Sequence, residues 1–449
     1  MQYSDSANKE ITGSSSPKIA FLEYLFVLIL IIYAGRANSF VESASFTHNV
    51  VAVMLPIVLS GILVLRRKVI FEASFFLVSF GLAFYFIAIS IKYKEIQPTF
   101  FLSYFFMFFT VYGFVRALKL DFFRMFEDIL YKLSIIALIA WIIQVGLRGD
   151  SLFNLISKIP GIDIFSRVTG EGVNVIVYSV QPSFSSLLYN FAFPRNCGFA
   201  WEPGAFAVFI CLAIFVNLFF TKSDSKNKYH LWVLVIALLT TQSTPGYIIF
   251  MVIILSYLLN KKLNIVILLL PVMVILMIYI SSLPFMANKV VGLIDESKSV
   301  DQVLQDAYGR ETSSTPQRFT SFMIALVDFK RNPIFGVGGH QEDLWTTKIG
   351  ANISAITGIG NFLAQFGLVG FSFLIIVLYK SSLFFSKYFG YNGKLLLFFI
   401  MLLLSVSYSI IFIPFFMCFW MFQLFSADNI LKEKLNNVDP GITNKPEDH

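Results

Sequence analysis

Apolar residues in this chain come in blocks, and polar residues fill the short gaps between them. The blocks fall at roughly 19–35, 50–65, 69–91, 98–115, 126–147, 202–220, 229–243, 246–260, 263–283, 356–379, 394–411 and 413–426. Most are about 17–23 residues long, the length that carries a helix across a bilayer core of roughly 30 Å. Spanning barrel strands would alternate apolar and polar positions over about 10 residues, and these blocks do not alternate. The pattern predicts an all-α polytopic membrane protein of about twelve transmembrane helices. Two long external loops, 148–200 and 284–355, interrupt the series. The whole chain, 1–449, reads as one integral-membrane domain with a cytoplasmic tail at 427–449.

Two places in the pattern are ambiguous. The run from Leu395 to Phe425 is about 31 residues, long for one span and short for two. Pro414 breaks it, so two short helices joined tightly at Ile413–Pro414 are expected. Thr240-Thr-Gln-Ser-Thr-Pro-Gly246 reads as a tight external turn, with a re-entrant hairpin as the alternative. The first long loop is polar at Arg148 and holds a β-branched stretch at Val173–Val180, so it reads as irregular with one strand or a short hairpin. The second is partly helical. Val290 to Leu304 is spaced as an amphipathic helix. Pro316 opens another, with Phe319, Phe322, Met323, Leu326 and Phe329 on one apolar face. Asn332-Pro333 ends it.

Composition agrees with a membrane protein: 57% of residues are hydrophobic and 14% charged, too much apolar surface for a soluble chain to hide. The net charge of +7 and pI near 9.1 would suit a nucleic-acid binder if the bases formed a patch. They do not. They gather in alternate loops: Arg66-Arg67-Lys68, Arg116 to Lys132, Lys222 to Lys228, Lys261-Lys262 and Lys380 to Lys394. The positive-inside rule then puts both termini in the cytoplasm and both long loops outside. Met1–Lys18 lacks the basic start and cleavage site of a signal peptide, so the first span is expected to remain as an anchor. Three cysteines, 197, 211 and 418, give no metal or disulfide spacing.

Candidate chemistry sits at the ends of the two long loops, which are expected to face each other across one site. Arg195 and Glu202 flank the start of a span beside Trp201, where ionisable groups are costly. Arginine offers a fork of donors that matches phosphate oxygens. Glu202 precedes Pro203, a good first helical residue, so its carboxylate meets the positive end of a helix. Arg310 and Arg318 stand in the second loop. A cation in the first helical turn, as Arg318 is, makes sense where that turn faces an anion. His340 follows the Gly-rich turn Gly336-Val-Gly-Gly339 and can accept a proton from a hydroxyl. Asn361 and Gln365, one helical turn apart, can line a sugar site or pack between helices. No phosphate-cradling GxxxxGK[ST] occurs, and no acidic pair in the external loops suggests a metal. No cofactor is expected.

Together these features resemble the O-antigen polymerase and ligase superfamily of bacterial inner-membrane glycosyltransferases. The residues that carry the resemblance are Arg195-x-x-Gly-Phe-x-x-Glu-Pro-Gly204, Thr241-Gln-Ser-Thr-Pro-Gly246, Arg318-Phe, Asn332-Pro-Ile-Phe-Gly-Val-Gly338 and Gly360-Asn-Phe-Leu-Ala-Gln-Phe-Gly-Leu-Val-Gly370. The resemblance implies a metal-independent glycosyl transfer outside the inner membrane. The partners would be undecaprenyl-pyrophosphate-linked glycans, membrane lipids and a chain-length regulator, with no nucleic acid. It implies Arg195 and Arg318, with Arg310, on the pyrophosphate, and Glu202 or His340 as base. Ser243-Thr-Pro-Gly246 stands where many relatives have a Ser-Arg-Thr-Gly-like turn, so phosphate binding by that turn is not carried over to this chain. Repeat-unit polymerisation is the first expectation. Ligation to lipid A-core shares its chemistry. Transport of the lipid-linked glycan is the third reading, disfavoured by the near absence of charge in mid-span.

Overall fold

The computed structural model describes residues 21–37, 50–147, 149–158, 168–169, 172–180, 185–188, 191–221, 225–261, 318–350 and 357–426. Helices α1 Phe21–Ala34, α2 Val50–Arg66, α3 Ala73–Tyr93, α4 Pro98–Leu118 and α5 Asp121–Gly146 come first. A short amphipathic helix, α6 Gly149–Ser157, follows. Five strands come next: β1 Val168–Thr169, β2 Gly172–Val175, β3 Tyr178–Val180, β4 Ser185–Leu188 and β5 Phe191–Pro194. The remainder is helical: α7 Pro203–Phe220, α8 Ser225–Thr241, α9 Thr244–Asn260, α10 Arg318–Arg331, α11 Trp345–Lys348, α12 Gly358–Phe389, α13 Leu396–Ser407 and α14 Pro414–Trp420.

Five of these helices, α3, α4, α5, α7 and α12, are long and apolar enough to cross a membrane, and α1, the Met54–Arg66 part of α2, α9 and most of α13 are shorter apolar helices. The chain is therefore a multi-pass membrane protein. The block at 263–283, the expected amphipathic helix 290–304 and Pro316 lie outside the described residues, as does the tail 427–449.

α7 forms the centre. Its residues are apolar on every side but for Asn217, which donates to Glu127, and all but Leu218 are buried. A helix with no polar face has to be enclosed, and α5, α8 and α9 pack around it. Aromatic edges fill the seams: Phe123 of α5 meets Phe220, Phe385 and Phe419, at 4.9–5.5 Å between ring centroids. α2 and α4 pack through small residues. Ser60 Oγ donates to the carbonyls of Phe109 and Thr110, and a Cβ at Gly113 would overlap it.

The first long loop holds more regular structure than its sequence suggested. β1, β2 and β3 form an antiparallel sheet, and β4 and β5 form a hairpin. The β-branched stretch supplies β2 and β3, and Ile176 makes their turn at φ 49°. Strand partners come from residues whose own propensities are weak, such as Ser185 and Ser186, so pairing rather than local preference decides them. The sheet is fastened to α5: Tyr178 Oη donates to Gln144 Oε1 at 2.6 Å, and Trp141 Nε1 donates to the Pro194 carbonyl at 2.6 Å.

One further expectation shifts. The break near Pro414 is a connection rather than a tight joint. α13 ends at Ser407, Tyr408 is extended, a 3-10 turn covers Ile410–Phe412, and Pro414 opens α14 at its first turn. α10 packs on α12: Ser321, Ile324, Ala325 and Asp328 are buried, Ala325 and Phe322 both approach Gly360, and Met323 stays 37% exposed.

Candidate functional site

Ser225 to Gly246 folds as a helical hairpin with a tight turn. α8 ends at Thr241, Gln242 takes φ 50°, and Ser243 caps α9 by accepting from the Gly246 N–H. The carbonyls at the end of α8 are orphans of the helix. Arg195 takes two of them. Its Nε donates to the Thr241 carbonyl and its Nη2 to the Gln242 carbonyl, each at 3.1 Å. Asn196 completes the clasp, its N–H donating to the Thr240 carbonyl and its Nδ2 to Thr240 Oγ1. A guanidinium at a helix C-terminus also suits the dipole. The fork expected to be free for phosphate is thus engaged on backbone. Its Nη1 edge, which makes no hydrogen bond among the described residues, is what remains for a ligand.

Glu202 occupies the N-cap of α7, extended at φ −154° and ψ 160°, with Pro203 in the first turn. It is half-buried and makes no side-chain cap. Gly198, at φ 50°, lets the chain pass over the Phe206 ring, and the Ser179 N–H donates to its carbonyl. Cys197 is buried here. Burial pushes its thiol pKa well above the ordinary value, Glu202 adds to this, and Arg195 opposes it.

The second cluster is built on a break in α12. At Gly367 the backbone leaves helical geometry, with φ 61° and ψ −161°. The freed groups are claimed by the segment Pro333–Gly338. The N–H groups of Val337 and Gly338 donate to the carbonyls of Ala364 and Gln365, and those of Leu368 and Val369 donate to Pro333 and Ile334. Tyr85 Oη bridges the two strands of this lock, at 2.6 Å to the Phe335 carbonyl and 3.0 Å to that of Gln365. Lys92 Nζ binds Asn332 Oδ1 and the Gly336 carbonyl. Two glycines are required. A Cβ at Gly336 would overlap the Gln365 backbone, and one at Gly367 would overlap Ile334 and Gly336.

This lock delivers His340, which is 1% exposed. Its ring stacks on Tyr93 with centroids 4.5 Å apart. Nδ1 lies 3.1 Å from Gln97 Nε2, 3.3 Å from Glu342 and 3.4 Å from Glu95. With Nδ1 protonated, a carboxylate accepts from it and Nε2 keeps a lone pair, the tautomer a general base needs; with Nε2 protonated, Nδ1 accepts from Gln97 instead. The same donors, His340, Glu95 and Glu342, lie within 4.8 Å of one another, close enough to share a cation. The acidic pair not foreseen from the long loops forms because Glu95 comes from the short α3–α4 connection.

The expected residues are placed as follows. Arg318 is the first residue of α10, and Arg310 lies outside the described residues. Asn361 and Gln365 are half-buried on the first half of α12, and Gln365 Oε1 accepts from Tyr104 Oη at 3.3 Å. Among the described residues the side-chain partners of the His340 ring are Gln97, Glu95 and Glu342, none of them in the Arg195–Glu202 cluster. Tyr408 joins the start of α7 to the start of α12: it packs on Trp201 at 6.0 Å and sits against both Gly204 and Gly358. Glu95, Gln97, Tyr104 and Tyr408 escaped the sequence reading. The polar run Lys92-Tyr-Lys-Glu-Ile-Gln97 between two apolar blocks was the signal for the first two.

Residues 229–375 of this chain carry a Wzy_C domain, the family described as O-antigen ligase. No curated protein matches the chain. The matched stretch runs from α8 to the middle of α12, so it contains the α8–α9 turn, α10, His340 and the Gly367 break. Arg195, Glu202 and the first five helices fall outside it. The match agrees with the O-antigen polymerase and ligase superfamily over that part of the chain.

Proposed function

We propose that the protein transfers a glycan from an undecaprenyl-pyrophosphate carrier to an acceptor hydroxyl, at the end of the bundle where α7 begins. The observation that carries this reading is the Wzy_C match over residues 229–375, the stretch that folds into the lock presenting His340. In this reaction the bond between the sugar anomeric carbon and the pyrophosphate oxygen breaks, and negative charge develops on the departing pyrophosphate. The free edge of Arg195, with Arg318 and Arg310, supplies the stabilising cations. The acceptor oxygen forms the new bond and gives its proton to a base. His340 suits that role through its carboxylate-held Nδ1, and Glu202 is the alternative.

The description of the matching family favours ligation, with a lipid A-core hydroxyl as acceptor. The Arg195-x-x-Gly-Phe-x-x-Glu-Pro-Gly204 motif favours polymerisation, in which the acceptor is another lipid-linked repeat. The test uses purified full-length protein, a defined undecaprenyl-pyrophosphate repeat and no nucleotide. Transfer only after a lipid A-core acceptor is added supports ligation. A ladder of lengthened glycans without it supports polymerisation. No product of either kind, with the donor still bound, overturns glycosyl transfer and leaves transport.

A further inference from the structure

Arg36 is a second arginine beside the Arg195–Gly204 stretch, and no function above uses it. α1 ends at Ala34, and the chain turns at once. The Gly35 N–H donates back to Ile31 and Ile32, and Arg36 takes φ 50°, a left-handed position that disfavours a side chain. The turn is held from outside. The Trp201 N–H donates to the Gly35 carbonyl at 3.1 Å, and a Cβ at Gly35 would overlap Phe199. The strained turn directs Arg36 into a cavity between α2, α4 and the start of α14, walled by Ile57, Ser103, Met107, Phe412 and Pro414.

Among the described residues the Arg36 guanidinium has no hydrogen bond and no ion pair. Burial pulls its pKa below the ordinary arginine value, and among the described residues Tyr33 and Tyr104 oppose this. A desolvated cation is retained in proteins where an anion meets it. The walls are mostly apolar, with Ser103 and Thr110 as the hydroxyls among them, which suits the junction of a phosphate with a hydrocarbon chain. Lipid has access as well: α2, which contributes Ile57 to the wall, exposes Met54, Val58 and Ile62. Tyr104, on the far side, donates to Gln365 Oε1. A phosphate on Arg36 would therefore stand one tyrosine away from Gln365 and from the lock that presents His340.

We infer that the Arg36 cavity seats the phosphate end of an isoprenoid-phosphate lipid, with its chain leaving between helices toward the bilayer and its head turned toward Tyr104 and Gln365. The inference deepens the transfer reading above and rests on it for the choice of isoprenoid over phospholipid. Arginine supplies the bidentate fork that phosphate oxygens accept.

The test is lipid binding by the full-length protein in detergent, read by native mass spectrometry, with undecaprenyl phosphate and phosphatidylglycerol as probes. Arg36→Gln should weaken undecaprenyl phosphate binding by tenfold or more and leave phosphatidylglycerol unchanged. Arg36→Lys should lose less. Ile57→Trp, which fills the cavity with Arg36 in place, should weaken the isoprenoid phosphate as well and guards against misfolding of the charge variant. Undiminished binding in both Arg36→Gln and Ile57→Trp overturns the inference. Equal loss of both lipids overturns the isoprenoid assignment in favour of a general headgroup site. The assay contains no acceptor, so it separates the two readings. Arg36-dependent binding without transfer by the unaltered protein sinks only the transfer reading. Transfer with Arg36-independent binding sinks only this one.

Discussion

The α8–α9 turn and the α12 break are both places where backbone carbonyls lose their helical partners, and they are closed by different means. At the turn a charged side chain, Arg195, does the closing through Nε and Nη2. At the break another stretch of backbone does it, with four N–H groups exchanged between Pro333–Gly338 and Ala364–Val369. The first solution leaves one edge of a cation facing outward. The second is closed mainly by backbone, braced by the Tyr85 hydroxyl and the Lys92 ammonium, and its fit places the next residue, His340. A side-chain cap tolerates adjustment because a guanidinium can swing. A backbone lock does not, because glycine geometry on both strands defines it.

That difference orders the expected effects. Gly367→Ala should be the most damaging. Its φ and ψ fall in a region nearly confined to glycine, which costs about 1–3 kcal/mol, and the added Cβ would overlap two backbones besides. The protein should lose its thermal unfolding transition or melt far lower, and transfer should vanish. A normal melt with normal transfer would mean that the lock is not required. His340→Ala removes a buried, stacked ring and should lower the melt as well as reduce transfer by about 10²–10⁴-fold, the range for a lost general base. Kinetics per folded molecule checks this, and retained activity would shift the role to Glu202.

Arg195→Gln should act on both axes at once. Two hydrogen bonds from a charged donor are lost, so stability should fall by about 2–3 kcal/mol. Transfer should fall by about 10²-fold, as when one donor to developing charge is removed. A stability loss with full activity per folded molecule would make Arg195 a cap and nothing more. Tyr85→Phe removes the hydroxyl that bridges the lock, and should cost about 1 kcal/mol. Hydrogen exchange at Val337 and Gly338 should rise with it.

The smallest effect is a pH dependence beside Arg195. Burial raises the Cys197 pKa in the folded protein, so the fold keeps a proton that the unfolded chain releases above the ordinary value of 9.0. The native state then binds more protons than the unfolded one, and stability falls as pH rises through that value. Below it the contribution is flat. Cys197→Ala should flatten the decline in melting temperature between pH 8 and 10, and an equally steep decline in the variant would show that Cys197 is solvated.

Much of this was legible from the chain. The apolar blocks have one physical solution in a bilayer, helices, because every backbone group must find its partner within its own segment. Glu202-Pro203 announced the start of α7, and Pro333 the end of α10, through proline's fixed backbone and missing donor. The glycines around His340 announced a turn. What the periodicity hid was how α10 meets α12: Ala325 and Phe322 both approach Gly360, and Ser321, Ile324, Ala325 and Asp328 are buried.

The sequence by itself determined a multi-pass helical protein and the motifs that mark its chemistry, because hydropathy and the backbone demands of proline and glycine act locally. Tertiary structure alone decided which polar groups meet. Glu95 and Gln97 reach His340 from more than two hundred positions away along the chain, Arg195 spends most of its fork on two carbonyls, and Arg36 stands against a cavity without a partner among the described residues. Pairing of this kind depends on which helices lie side by side, and no local pattern encodes that.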